Sequence, residues 1–174
     1  GKTTRTKILE LDLNELLNER GEQVVIFSID DLYKTRAERE GLEAKGYVHR
    51  GPPGTHDVPL GVRALRSLRK TDRDSVVALP KFNKKDDNRA SEPRLIRGKV
   101  GIVLFEGWIV GANTDVDPEK VRPGFKREVA KAIREYGALN AELDDLIVRL
   151  PRDLDTIRVL YGDQVGRQKA EVER

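Results

Sequence analysis

The chain opens Gly1-Lys2-Thr3-Thr4 and runs straight into a helical pattern. This order matches the last part of G-x-x-x-x-G-K-[ST], a loop whose free N–H groups and following helix dipole hold phosphate oxygens. On that reading Gly1, Lys2, Thr3 and Thr4 contact a nucleotide, with Lys2 on the β- and γ-phosphates and the Thr3 hydroxyl on Mg2+. A second group of reactive side chains lies in Ser28-Ile29-Asp30-Asp31-Leu32-Tyr33. A carboxylate there can take the proton of an attacking hydroxyl and orient it toward a γ-phosphate. Glu106 closes the apolar run Ile102-Val103-Leu104-Phe105 and precedes Gly107-Trp108. An acid in that position can hold Mg2+, directly or through water, and Gly107 would let the backbone approach a ligand. Each reading has a bland counterpart: a polar chain start, a turn acid, and a strand-end acid facing solvent. The elements around these residues weigh against the bland set, because phosphate-binding loops lead into a helix and then buried strands.

Those elements alternate. Thr4 to Asn18 places Ile8, Leu9, Leu13, Leu16 and Leu17 on one helical face, and Gly21 stops it. The run Val24 to Ile29 is continuously apolar and β-branched, the pattern of a parallel strand buried on both faces. A helix is expected over Val58 to Lys70 with Val58, Val62, Leu65 and Leu68 inward. Val76 to Leu79 reads as a short strand ending at Pro80, and Val100 to Phe105 as another buried strand. Phe125 to Leu143 reads as a helix, Leu146 to Leu150 as a last buried strand, and 152–174 as a polar helical tail. Strands separated by helices predict an α/β fold with a parallel sheet. Ligands of such sheets sit beyond the carboxyl ends of the strands, which gathers Asp30, Asp31 and Glu106 on one edge.

Composition sets bounds. The 174 residues suit one domain with a sizeable core, and 36% charged against 37% hydrophobic residues fit a soluble globular chain. No apolar run reaches membrane-spanning length and nothing resembles a signal peptide. Cysteine is absent, which rules out disulfides and thiolate chemistry and points to the cytoplasm. The net charge is +3, with bases densest from Lys81 to Arg97. A phosphorylated ligand accounts for that bias as well as nucleic acid does, and the lack of interleaved aromatics argues against a nucleic-acid module. The chain has no Met and does not begin with one. We therefore expect an incomplete chain whose preceding strand and first half of the phosphate loop are missing, which leaves an organelle open as the compartment.

The most specific stretch is Arg50-Gly51-Pro52-Pro53-Gly54-Thr55-His56-Asp57. Together with Ser28 to Tyr33, Pro80-Lys81-Phe82-Asn83-Lys84, Asp86-Asp87-Asn88-Arg89 and Phe105 to Trp108, it resembles the plant-type D-glycerate 3-kinase family. That family includes kinase-like proteins of yeast and bacteria and stands with the phosphoribulokinase and uridine kinase group. The resemblance runs in order from Gly1 to about Leu150. It implies a three-layer α/β/α P-loop fold with a single kinase domain (core 1–150, lid 151–174) that uses ATP and Mg2+. It implies Asp30 as catalytic base, with Asp31, Tyr33, Arg50, His56, Asp57, Lys81 and Arg89 around the acceptor. Lys84 would join the basic residues that neutralise charge. Asp57 has a plainer role open to it as a helix N-cap, and His56 as a packed turn residue. The family carries a Trp-Arg pair in its lid helix, whereas this chain has Tyr161-Gly162-Asp163-Gln164-Val165-Gly166-Arg167, so Arg167 is the implied phosphate clamp on a departing motif. The implied activity is transfer of the γ-phosphate to a small-molecule hydroxyl, best D-glycerate. A nucleoside, pantothenate or another sugar acid is the alternative acceptor, and an ATP-binding protein without turnover is the alternative to an enzyme. The sequence sets no oligomeric state.

Overall fold

A computed structural model of the chain describes residues 2–43, 49–111 and 123–148. In order, its elements are α1 (Lys2–Asn18), β1 (Gln23–Ser28), a 3-10 turn (Ile29–Leu32), α2 (Arg36–Glu40) and α3 (Val58–Arg69). They continue with β2 (Val76–Leu79), β3 (Phe82–Asn83), β4 (Asn88–Arg89), β5 (Arg94–Arg97), β6 (Val100–Glu106), a second 3-10 turn (Pro123–Phe125) and α4 (Lys126–Val148). The chain divides into two units, Gly1–Glu142 and Leu143–Arg174. The contacts discussed here lie within the first. Of the second, only 143–148, the end of α4, is described. The expected division between core and lid falls on residues outside those described.

β1 and β6 pair in parallel, Val24 opposite Ile102 through Ser28 opposite Glu106. Val24, Val25 and Phe27 are all buried. Successive strand residues point to opposite faces, so β1 is covered on both, as its unbroken apolar run predicts. Phe27 packs edge-on against Phe105 at 5.4 Å. α1 lies along β1 and β6. Gly21, at φ +64, turns the chain out of the helix, and Asn14 Oδ1 accepts a bond from the Val24 N–H at 2.8 Å. Leu13 and Leu17, one turn apart, form the buried row of α1. Leu16, expected inward, is 52% exposed, because at about 100° per residue it sits beside that row rather than in it. Residues 19–22 link α1 to β1 tightly, so the helix runs back along the strand and its Lys2-Thr3-Thr4 start lies toward the strand's carboxyl end.

α3 packs on β2, β6 and the first 3-10 turn, burying Gly61, Ala64, Leu65 and Leu68. Val58 and Val62 are only half-buried. A β-carbon at Gly61 would stand 2.9 Å from Leu139 Cδ1, so the glycine permits the close pass of α4, whose inward row is Ala132, Tyr136 and Leu139. Among the described residues no helix is long and apolar enough to cross a membrane.

Two expectations need correcting. Val76–Leu79 is a strand, but it pairs antiparallel with β5, Val76 opposite Arg97 and Leu79 opposite Arg94. The stretch between them holds the small β3–β4 hairpin and no crossover helix, which a parallel return requires. The parallel sheet among the described residues is therefore β1–β6 alone. The strand expected over Leu146–Leu150 does not form at 146–148, where α4 continues to Val148. Leu139, Leu143 and Leu146 keep the i, i+4, i+7 spacing with no breaker between them, and a short apolar run cannot by itself be told from a helix end. Residues 149–174 lie outside the described set.

Candidate active site

The carboxyl ends of β1 and β6 place the acids. The Ser28 hydroxyl accepts from the Asp30 N–H at 3.2 Å and so starts the 3-10 turn immediately after β1. Glu106 ends β6 in register with Ser28. Asp30, Asp31 and Glu106 thus share one edge of the parallel pair, the edge toward which α1 begins. Gly1 lies outside the described residues, as does Arg167. Lys2, Thr3 and Thr4 are described only as the first turn of α1.

Three segments converge on Asp30: its own turn, the Pro53–Asp57 stretch, and the β3–β4 hairpin. Lys84, in the hairpin turn, holds Asp30 Oδ2 at 2.7 Å. Partial burial works against ionisation of Asp30, but the Lys84 bond and charge, with the nearby Tyr33 hydroxyl and His56, outweigh it and keep the carboxyl below its ordinary range. Asp31 goes the other way. Burial first, and then the charge of Asp30, push its carboxyl up, although its Oδ1 accepts from the Phe82 N–H at 3.1 Å. The two adjacent acids are therefore pushed in opposite directions, with Asp30 at the edge and Asp31 a strut for β3.

The remaining basic and acidic residues form a frame. Asp57 caps α3, its Oδ1 accepting from the Leu60 N–H at 3.0 Å, while its Oδ2 pairs with Arg89 at 3.2 Å. The capping role open to Asp57 in sequence is the one it has here. Arg89 also donates to the Tyr33 carbonyl at 3.2 Å. Arg50 pairs with Asp87 and donates to the Lys84 carbonyl at 3.4 Å. The buried Arg39 meets Asp87 from the other side at 3.0 Å, and both guanidiniums lie over the Phe82 ring. Asp87, with φ +49, thus clamps the turn that presents Lys84. Lys81 is exposed at the start of the hairpin.

His56 is 3% exposed. Its ring stacks on Tyr33 at 4.3 Å, and its Nδ1 is hydrogen-bonded to the Tyr136 hydroxyl at 3.1 Å. Burial lowers its pKa from 6.5 to about 4, with the Asp30 charge opposing and the Lys34 charge assisting. An imidazole held neutral when folded contributes stability that is complete above about 6.5 and is lost as the pH falls through about 4. We expect the protein to lose about 2 to 3 kcal/mol between pH 7 and 4.5 through this group. Urea denaturation at the two pH values should show it, and His56→Phe should flatten that part of the curve. Equal acid sensitivity in both proteins would clear His56 of the effect.

Sequence reasoning missed Tyr136, Arg39, Asp87 and Phe82. Tyr136 had a faint signal, since it occupies the apolar row of α4 between Ala132 and Leu139 and a buried Tyr needs a partner for its hydroxyl. Arg39 carried none, and Asp87 stood in a family-like segment without a role, because their pairing joins α2 to a turn 48 residues away. Among the described residues no three His, Asp or Glu side chains converge as a metal cage. A magnesium ion that bridges nucleotide phosphates takes only one or two protein oxygens, a demand that Glu106 and Thr3 fit in kind.

No family model matches the chain. The chloroplastic D-glycerate 3-kinase of Arabidopsis thaliana is 29% identical over 123 residues, which cover 64% of this chain and 26% of that protein. An uncharacterized kinase of Schizosaccharomyces pombe is 32% identical over 123 residues, 64% of this chain and 43% of its own length. Among solved structures, a D-glycerate 3-kinase of Cryptococcus neoformans var. grubii superposes with a TM-score of 0.56 at 25% identity, over 73% of this chain and 54% of that one. The chain spans less than half the length of either curated relative. Its likeness to the kinase-like P-loop group holds in sequence and in fold, and the α/β architecture is theirs.

Proposed function

From this place among the kinase-like P-loop proteins, we propose that the chain is the core of an ATP-dependent kinase that phosphorylates the hydroxyl of a small acceptor, D-glycerate first. The observation that carries the reading is Asp30: an ionised carboxylate at the carboxyl edge of the parallel strands, with Lys84 bonded to it.

Lys2, Thr3 and Thr4 bind the ATP phosphates with Gly1. Thr3 and Glu106 are the residues that would hold Mg2+, which when bound neutralises charge on the β- and γ-phosphate oxygens. Asp30 accepts a hydrogen bond from the acceptor hydroxyl and points its oxygen at the γ-phosphorus. Because Lys84 keeps Asp30 a weak base, the proton crosses to it late, after the bond from the γ-phosphorus to the departing ADP has loosened and the new P–O bond has begun to form. That timing suits a loose transition state, in which positioning matters more than base strength. Lys81 and Lys84 supply positive charge near the transferring group. Arg50 is engaged with Asp87, so an acceptor carboxylate reaching Arg50 exchanges places with that side chain. Asp57 and Arg89 shape the acceptor pocket as a pair.

The test is ADP release by the full-length protein that contains this chain, with Mg-ATP and D-glycerate, uridine, pantothenate or no acceptor. Release that depends on D-glycerate is the expected result. Release with uridine or pantothenate instead overturns the acceptor and keeps the kinase. ATP binding with no release on any acceptor overturns the kinase and leaves an ATP-binding protein without turnover.

A further inference from the structure

Arg39 is 2% exposed, and a guanidinium taken out of water is unfavourable unless it is paired and hydrogen-bonded. An apolar side chain in the same space would carry no such penalty. What an apolar side chain could not do is tie separate segments together. Arg39 Nε donates to the Lys34 carbonyl at 3.1 Å, and its Nη2 donates to the Asp87 carbonyl at 2.5 Å and to Asp87 Oδ2 at 3.0 Å. The base of this tie is itself fixed. A capping box between Thr35 and Glu38 starts α2, and the Arg36 N–H donates to Asn88 Oδ1 at 3.0 Å. The Lys34 N–H in turn donates to the Thr55 carbonyl at 3.0 Å.

The far end of the tie is the turn of the β3–β4 hairpin. Lys84 enters that turn and Asp87 leaves it, with Asn83 opposite Asn88 at its base. Asp87 takes a left-handed backbone, φ +49, that few residue types accept. Lysine is a point charge on a flexible stem, so the placement of the turn decides where its ammonium lands. Here it lands 2.7 Å from Asp30 Oδ2. Asp86, the other acid in the turn, is bonded by the Asn83 amide, which leaves Lys84 to Asp30. Asp87 has a second arginine, Arg50, whose side chain is 35% exposed against 3% for Arg39. The exposed one can turn to an acceptor carboxylate, and the buried one stays. We propose that Arg39 is a positioning residue for phosphoryl transfer: through Asp87 it holds the hairpin turn so that the Lys84 ammonium stays on the Asp30 carboxylate. The proposal rests on the reading of Asp30 as base given above. The other titratable groups near Asp30 are Asp31 in its own turn, and Tyr33 and His56.

The test follows the Asp30 carboxyl by carbon-13 NMR titration in the full-length protein that contains this chain. The proteins are wild type, Lys84→Met, Asp87→Asn, Arg39→Lys and Arg50→Lys, with Asp87→Asn and Arg39→Lys repeated in the Lys84→Met background. These changes separate position from charge. Asn accepts the left-handed backbone as Asp does, and losing the Asp87 charge would by itself lower the Asp30 titration. Lys keeps the charge of Arg39 but not its fork of donors. Lys84→Met should raise the Asp30 titration by about one pH unit, the low end for an opposite charge in contact. Asp87→Asn and Arg39→Lys should raise it by about half as much, and neither should add to the shift once Lys84 is Met. Arg50→Lys, which leaves Arg39 on Asp87, should move it less than Arg39→Lys. With Mg-ATP and the acceptor that supports ADP release, Arg39→Lys should lower kcat about three- to tenfold while KM for ATP changes less than about twofold. An Asp30 titration that stays put or falls in Asp87→Asn or Arg39→Lys overturns the proposal, as does an unchanged kcat. So does a shift that persists undiminished in the Lys84→Met background, or one from Arg50→Lys that equals that of Arg39→Lys. If Arg39→Lys does not fold, Asp87→Asn, on a side chain 39% exposed, decides the matter alone. Failure of the base reading looks different: Asp30→Asn would keep turnover whatever the titrations show.

Discussion

Asp30→Asn should lower acceptor-dependent ADP release by about 100- to 10,000-fold, the contribution of a positioned proton acceptor, while ATP affinity changes by less than about twofold. The reasoning is local. The amide keeps the shape of the side chain and can still accept a bond from the acceptor hydroxyl, but it cannot take the proton. It also exchanges an ion pair with Lys84 for a neutral contact, and the pair is open to water, with side chains 62% and 38% exposed. A pair that open contributes at most about 1 kcal/mol to stability, so the melting temperature should move little. Loss of turnover together with a folded, ATP-binding protein is therefore the expected pattern. Turnover close to wild type would remove Asp30 as the base, and loss of ATP binding as well would mean the carboxylate serves the nucleotide instead.

Gly107→Ala should destabilise the protein by about 1 to 3 kcal/mol, the usual cost of forcing a methyl into a filled core, and cut kcat by tenfold or more. A β-carbon there would stand 2.7 Å from Val110 Cγ2 and 2.9 Å from Ile29 Cβ. Ile29 cannot retreat, because it is buried and its backbone begins the 3-10 turn that carries Asp30. The strain is therefore relieved by moving the turn, and a displacement of about 1 Å at the reacting group is enough to cost two orders of magnitude in rate. Thermal melting and kcat measured on the same preparation check both halves. An unchanged melting temperature would show that the β6 exit yields freely. A lowered one with intact kcat would show that Asp30 is insulated from Ile29. Sequence reading gave Gly107 a different purpose, close approach of the backbone to a ligand. In the structure the close neighbours are Ile29, the first residue of the 3-10 turn after β1, and Val110.

What sequence alone determined is what depends on local pattern. The apolar run of β1 had to be a strand covered on both faces, because Val24 and Val25 point opposite ways and both need burial. Asp57 before Val58-Pro59 had to start a helix, since its carboxylate can reach the N–H of Leu60. Asp30, Asp31 and Glu106 had to share an edge once their strands were parallel, because each follows the carboxyl end of its strand. What only the tertiary structure decided depends on contacts between residues far apart in the chain. Nothing local distinguishes a parallel from an antiparallel partner for Val76–Leu79, and β5, which begins and ends on an arginine, supplied the antiparallel one. Nothing local told Leu16 from Leu17, or showed that α4 would run on where a strand was expected. Adjacent Asp30 and Asp31 look alike in sequence. They differ in acidity because the fold buries Asp31 beside the Asp30 charge, while the hairpin sets Lys84 against Asp30. His56 read as a surface contact or a packed ring with equal ease. The fold packs it against Tyr33 and Tyr136, from segments 23 and 80 residues away, since the partners of a side chain are chosen by the fold and not by its neighbours along the chain.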